Sequence, residues 1–197
     1  MGCGSSLTTG SAIETTRERA DAALRPWREG DAEAFDAILD STPDLDRQFG
    51  GAIPEPGDAR RTALTELAEA DQSRRAFAIV VDDIPIGCVT VAHMEDRHGT
   101  GWVSYWMSEP ARGRGLATRA VATAAEWALV VRGLHRLELG HRVDNPASCR
   151  VATQAGFAVE GIEREKLRYG DARFDVETHA RLASDPAPDA NLLRILS

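Results

Sequence analysis

The sequence predicts one α+β (α/β) domain built on a mostly antiparallel central sheet flanked by helices. Strand-like runs come in neighbouring pairs with short turns between them: Phe77 to Val81 and Ile86 to His93 around Asp82-Asp83, then Val159 to Tyr169 and Arg173 to Leu182 around Gly170-Asp171. Between the pairs, Leu116, Ala120, Ala124, Trp127 and Val131 recur on one helical face, behind an Arg/Gly-rich loop. The size agrees: 197 residues, 43% hydrophobic and 27% charged, are enough for one globular domain to bury a core without disulfides or a structural metal.

The elements follow in order. Leu24-Arg25-Pro26-Trp27 is a short first strand, and Gly30-Asp31 cap a helix from Ala32 to about Leu39. Residues 40 to 58 carry several Pro and Gly and read as a long, functional loop. Asp58 then caps a helix on which Ala63, Leu64, Leu67 and Ala68 keep helical spacing. After the first hairpin, the Arg97-His98-Gly99 turn leads into a third strand, Trp102 to Met107. Gly133 ends the central helix, and Leu137, Leu139 and Val143 alternate as in a strand. Asn145-Pro146 starts a short helix, with a capping side chain and a proline at the first helical position, and Gly156 closes it.

Charge and cysteine content narrow the function. A net charge of -8 at pH 7 argues against nucleic-acid and anionic-membrane partners, which need a positive field. Cys3, Cys88 and Cys149 form no C-x-x-C pair, so no disulfide framework or zinc ribbon is indicated and a reducing, cytoplasmic setting is expected. The longest apolar run, Ala76 to Val81, falls far short of the roughly 20 residues that span a bilayer. Residues 1–21 read as a loose tail, residues 22–183 as the domain and residues 184–197 as a C-terminal tail, with the last apolar segment, Leu192 to Leu196, left unassigned. Met1-Gly2-Cys3-Gly4-Ser5-Ser6 fits the N-myristoylation pattern, but so short a pattern often matches by chance, and the tail reading is preferred.

The chemistry concentrates between Trp102 and Thr118, where a strand runs into a loop that opens a helix. Gly113 and Gly115 remove side-chain bulk, so successive amides can converge on an anion at the positive end of the helix, with Arg112 and Arg114 adding donors. Neither G-x-x-x-x-G-K-[ST] nor a strand followed by G-x-G-x-x-G is present, which excludes the usual nucleotide loops.

The pattern Arg112-x-x-Gly115-x-Ala117 resembles the pyrophosphate-binding loop of the GNAT superfamily of acyl-CoA-dependent N-acetyltransferases. Asn145-x-x-Ser148-x-Arg150-Val151 with Gly156-Phe157 is similar to the second CoA-facing segment of its RimJ/RimL-like, ribosomal-protein N-acetyltransferase branch. Leu24 to Trp27, Ile86-Gly87, Tyr105-Trp106-Met107 and Asp175-Val176 resemble further strands in the branch's order, so the likeness covers about residues 22–183.

That resemblance implies a mixed sheet whose fourth and fifth strands splay apart, with acetyl-CoA as co-substrate and no metal. Backbone groups of Tyr105, Trp106 and Met107 then hold the pantetheine arm, and the Met107 amide stabilises the thioester oxygen. Amides of Arg112, Gly113, Arg114, Gly115, Leu116, Ala117 and Thr118 take the pyrophosphate. Asn145 binds the pantetheine amide, caps its helix, or does both. Ser148 stands where the branch places the acid that protonates the CoA thiolate. His141, near the end of the fifth strand, is the candidate base, with Glu109 and Glu165 as further candidates and water as another route.

Departures from the family pattern leave the substrate open. The superfamily's acid tyrosine falls at Ala152, the branch's glutamate base falls near Leu167, and Gln154 stands where lysine or arginine is common. The implied reaction moves acetyl to a primary amine, either a protein N-terminal α-amino group or a small molecule, in a monomer or homodimer. A non-catalytic acyl-CoA sensor or scaffold, or an acyltransferase using another acyl group such as succinyl, is the alternative. The loop at residues 40–58 is expected at the acceptor cleft, where Asp44, Asp46 and Glu55 could attract a cationic amine.

Overall fold

A computed structural model describes residues 21–197, so the tail motif at residues 1–6 lies outside the described residues. Its strands are β1 (Ala22–Pro26), β2 (Arg75–Val81), β3 (Ile84–Glu95), β4 (Thr100–Met107), β5 (Arg136–Arg142), β6 (Ala158–Tyr169), β7 (Ala172–Leu182) and β8 (Arg194–Ile195). Its helices are α1 (Ala32–Ser41), α2 (Asp58–Ala68), α3 (Leu116–Glu126) and α4 (Pro146–Gln154). The strands make one sheet in the order β6-β7-β5-β4-β3-β2-β1-β8. It is antiparallel except at β4–β5 and β1–β8, which agrees with the expected class.

Strand alternation divides the core into two layers. On β2, Phe77 and Ile79 face α3, joining Val89, Val103, Val121, Leu137 and Phe157, whereas Ala76, Ala78 and Val80 face α1 and α2, joining Trp27, Phe35, Leu39, Leu64 and Trp106. Because both faces are covered, β2 reads as a continuous apolar run in the sequence. Arg25 is buried at 1% exposure. It is paired through both terminal nitrogens with Asp31 at 2.8 Å and through Nε with Asp83 at 2.6 Å.

Several expectations shift in detail. Asp58 is the first residue of α2, and Gly57 occupies the cap, without a side-chain bond. The loop after α1 holds a 3-10 helix at Pro43–Phe49, started by proline and closed by Gly50 at φ 79°. The central helix is regular only to Glu126 and widens into a π-type turn at Trp127–Val131, which leaves Val131 74% exposed and off the buried face. The C-terminal segment also departs from a tail. Leu193 is buried, and Arg194–Ile195 pair with β1 as a parallel edge strand, so the packed domain extends past residue 183.

The feature that positions the site is the parting of β4 and β5. They pair only where Thr100, Gly101 and Trp102 meet Arg136, Leu137 and Glu138. Beyond that point β5 stays on β7 and β4 stays on β3. Trp102 packs against Gly140 at the fork, where an added Cβ would meet Trp102 ring carbons at 3.1 and 3.3 Å and Val176 Cγ1 at 2.9 Å.

Candidate active site

The fork opens into a cleft of about 690 Å³ that runs from the N terminus of α3, between β4 and β5, to the 3-10 helix and Tyr169. Such a volume suits a ligand of cofactor size. At one end Gly113 and Gly115 adopt φ 74° and 73°, backbone angles that side chains disfavour, and their Cβ positions face open space. The first capping bond of α3 runs from the Arg119 amide to the Gly115 carbonyl at 3.2 Å. Amides from Gly113 to Thr118 therefore donate to no group among the described residues. They line the cleft at the positive end of the helix dipole, an arrangement that takes a phosphate without a basic side chain.

Arg112 does something other than the sequence suggests. Its guanidinium turns away from the loop and closes on both oxygens of Asp44, at 2.9 and 2.8 Å, while Nε donates to the Met107 carbonyl at 3.2 Å. Arg114 is exposed on the cleft rim. The Arg112 amide, expected among the pyrophosphate donors, instead donates to the Glu109 carbonyl at 3.2 Å, and the side chain ties the loop to the 3-10 helix.

Along β4 the hydrogen-bond directions follow from alternation. The Ser108 amide donates to the Ile86 carbonyl on the β3 side at 2.9 Å. Amides alternate sides along a strand, so those of Met107 and Tyr105 point into the fork. Gly87 permits this close strand pairing, since a Cβ there would lie 2.6 Å from the Trp106 carbonyl and 2.8 Å from Met107 Sδ.

Across the cleft, Asn145 caps α4 by accepting the Ser148 amide at 3.1 Å. Its carbonyl oxygen is thereby engaged in the cap. Ser148 lines the cleft beside Tyr105, whose phenol oxygen is buried without a well-formed hydrogen bond. Burial pushes the Tyr105 phenol up from its ordinary pKa, against a smaller opposing effect of the neighbouring Ser148 hydroxyl. Sequence reading assigned only the backbone of Tyr105. The side chain's place beside Ser148 comes from the meeting of β4 and α4, which no local pattern encodes. Ala152, where the superfamily's tyrosine would stand, is fully buried.

The other named residues separate. Trp106 turns its side chain into the α1 and α2 core. Leu116, Ala117 and Thr118 form the first turn of α3 on the cleft wall, and Gln154 accepts from Thr118 Oγ1 at 3.4 Å. His141 lines the cleft but is 7% exposed, with Nδ1 on the Arg142 carbonyl at 2.9 Å and Nε2 on His179 Nε2 at 2.9 Å. Glu109 and Glu165 are exposed and outside the cleft lining. Asp46 and Glu55 also lie outside it, and Asp44 is spent on Arg112. This end of the cleft instead presents Arg47 and Arg142 over the Tyr169 ring, at 5.5 and 5.7 Å. Arg142 is paired with Asp144, whereas Arg47 has no carboxylate partner among the described residues.

Residues 22–158 match the family model described as "Acetyltransferase (GNAT) domain". The chain belongs to the GNAT acetyltransferase family. It is 31% identical to the ribosomal-protein-serine acetyltransferase of Escherichia coli (strain K12) over 108 residues, which is 55% of this chain and 60% of that protein's length. It is 29% identical to the spermidine N(1)-acetyltransferase of the same strain over 129 residues, 63% of this chain and 69% of the relative. A solved structure of Mycobacterium smegmatis RimJ in complex with CoA-disulfide superposes with a TM-score of 0.66 at 25% identity, covering 84% of this chain and 88% of that one. The RimJ/RimL-like resemblance read from the motifs thus agrees with the relatives the chain matches, and the mixed sheet is the fold of this family.

Proposed function

We propose that the protein transfers acetyl from acetyl-CoA to the α-amino group of a peptide or protein N terminus in the cytoplasm, in a complex holding both substrates. The observation that carries this reading is the row of unpartnered amides from Gly113 to Thr118 at the head of a cleft that continues between two diverging strands. Those amides fit a pyrophosphate, and the inward amides of Tyr105 and Met107 fit an extended arm laid along β4.

Acetyl-CoA supplies the thioester: the amine nitrogen bonds to its carbonyl carbon as the carbon–sulfur bond breaks. The Met107 amide donates to the carbonyl oxygen, where negative charge grows, and so favours the transition state over the ground state. Ser148 Oγ gives its proton to the departing sulfur, the buried Tyr105 hydroxyl beside it passes a proton to the serine oxygen, and solvent entering the cleft as products leave returns one to the phenolate. His141 is 7% exposed with its Nε2 set against His179, so water at the mouth takes the proton of the incoming ammonium.

The mouth favours a peptide over a polyamine. Its carboxylates Asp44 and Asp144 are closed on Arg112 and Arg142, and Arg47 adds positive charge. A second cationic centre on the acceptor is thus repelled, whereas an amine followed by neutral or acidic groups is accommodated. Titration calorimetry with CoA and acetyl-CoA, followed by a transfer assay on N-terminal peptides and on spermidine, tests the reading. Micromolar CoA binding with transfer to peptides is the expected result. Absence of CoA binding at millimolar ligand refutes the site, and binding without transfer to any amine leaves an acyl-CoA sensor.

A further inference from the structure

A second constellation lies behind the cleft. His141 on β5 and Glu177 on β7 are register partners, and His179 follows Glu177 by two residues, so the three side chains project from one face of the sheet. Helix α4, packed on β5 and β6, adds Cys149. The ligand atoms of these four residues all lie within 4.8 Å of one another.

Hydrogen bonding makes this cluster more than a coincidence of side chains. His141 Nδ1 is 2.9 Å from the Arg142 carbonyl, and His179 Nδ1 is 3.3 Å from the Phe157 carbonyl. A carbonyl oxygen only accepts, so in the neutral rings each Nδ1 carries the proton and each Nε2 keeps a bare lone pair. Those two Nε2 atoms face each other at 2.9 Å, at 7% and 1% residue exposure. Two buried lone pairs at that separation repel unless something positive lies between them. The Glu177 carboxylate, 3.6 Å from His179 Nε2, adds negative charge at the same point.

We infer that the positive group is a zinc-like divalent cation held by His141 Nε2, His179 Nε2, Cys149 Sγ and Glu177. A shared proton would quiet the two nitrogens but gives no reason for a sulfur to gather there. Two imidazoles, a thiolate and a carboxylate are the borderline donor set that zinc takes, with bonds of about 2.0–2.3 Å. The Nδ1–H to carbonyl bonds are the outer contacts that orient metal-bound imidazoles. Four protein ligands leave no open position, which makes the ion structural. It pins β7 to β5 and holds the first turn of α4, where Cys149 follows Ser148 directly. Binding releases the Cys149 thiol proton to solvent. No local metal motif marks these ligands, because they come from separate elements and share no C-x-x-C or H-x-x-x-H spacing.

The test uses the full chain, stripped with a chelator and titrated with Zn²⁺ by calorimetry and with Co²⁺ by absorption. Saturation at one equivalent is expected, together with the intense visible bands of tetrahedral Co²⁺ and a thiolate charge-transfer band that Cys149→Ser abolishes. His179→Gln should weaken Zn²⁺ binding by more than the roughly 100-fold that loss of an outer contact costs. If His179→Gln fails to fold by near-UV circular dichroism, the Cys149→Ser spectrum decides alone. Nitrogen NMR of labelled histidine should show metal-bound Nε2 on both rings. An absence of saturable binding, or a Co²⁺ spectrum that Cys149→Ser leaves unchanged, overturns the site and leaves a shared proton between the rings.

Discussion

Arg112 and Asp44 form a two-point clasp, 2.9 and 2.8 Å, between the glycine loop ahead of α3 and the 3-10 helix at Pro43–Phe49. Because Nε of the same arginine holds the Met107 carbonyl, one side chain joins the loop, the end of β4 and the acceptor wall. Lysine cannot reproduce this fork. Arg112→Lys should raise KM for the acceptor several-fold and disturb CoA affinity less, by steady-state kinetics against calorimetry. The Arg112 guanidinium holds the Asp44 carboxyl below the usual carboxylate range. The clasp is thus complete at neutral pH and opens only as pH falls through that depressed value, so acceptor KM should rise in acid for the wild type and stay flat in Asp44→Asn.

Gly115 sits at φ 73° where its amide joins the row facing the cleft. Gly115→Ala strains that angle by about 1 kcal/mol or more and should weaken CoA binding by tenfold or so. Gly115→Asp adds a carboxylate beside the pyrophosphate and should abolish binding detectable by calorimetry. Unchanged affinity in Gly115→Asp would move the phosphate site elsewhere.

The proposed proton path runs from the Tyr105 hydroxyl through Ser148. Ser148→Ala should lower kcat by about 10²-fold, in the range for loss of an acid catalyst, with little change in CoA affinity. Tyr105→Phe keeps the ring's packing and should cost less alone. If the pair acts in series, the double variant should be no slower than Ser148→Ala, whereas multiplied losses would show independent roles. Wild-type turnover in Tyr105→Phe would reduce the phenol to a packing role.

The buried pair of Arg25 and Asp31 fixes β1 to the turn before α1. Arg25→Met strands a buried carboxylate and should cost about 3–5 kcal/mol in urea unfolding. Burial opposes ionisation of Asp31, but the Arg25 guanidinium and the Arg28 amide outweigh it and hold its pKa below the ordinary value. Stability from this group is therefore full above the unfolded carboxyl's pKa of about 3.9 and is lost as pH falls through the lower folded value. Asp31→Asn should flatten that acid limb of the stability curve.

What the sequence made legible was local and periodic. Alternation marked the hairpins, and the glycines of the loop marked the left-handed turns ahead of α3, because each of these is a property of neighbouring residues. The fork between β4 and β5 was legible only through the family resemblance, since parallel strands far apart in sequence leave no local trace of where pairing stops. The pairing of Arg112 with Asp44 left no trace because the two are distant in the chain. The Tyr105 hydroxyl, the two facing histidines and the return of residues 193–195 to the sheet escaped notice for the same reason: each depends on which elements become neighbours after folding.

Arg47 offers the clearest handle on acceptor choice. Its guanidinium lies 5.5 Å from the Tyr169 ring centre, and the nearby carboxylates Asp44 and Asp144 already hold arginines of their own. The overall charge of -8 therefore misdescribes the mouth. A polyamine, which keeps positive charge on the amines that do not react, meets Arg47 as a like charge, while a peptide terminus leaves its charge behind once deprotonated. Arg47→Glu reverses the sign at the mouth and should raise kcat/KM for spermidine by about tenfold, a change of about 1.4 kcal/mol, while lowering it for peptides with acidic residues after the first. Raising salt should shrink both changes, because the site is exposed and its field is screened over about 10 Å at 0.1 M. Identical peptide-to-spermidine ratios in the wild type and Arg47→Glu would remove electrostatics from the account of acceptor choice.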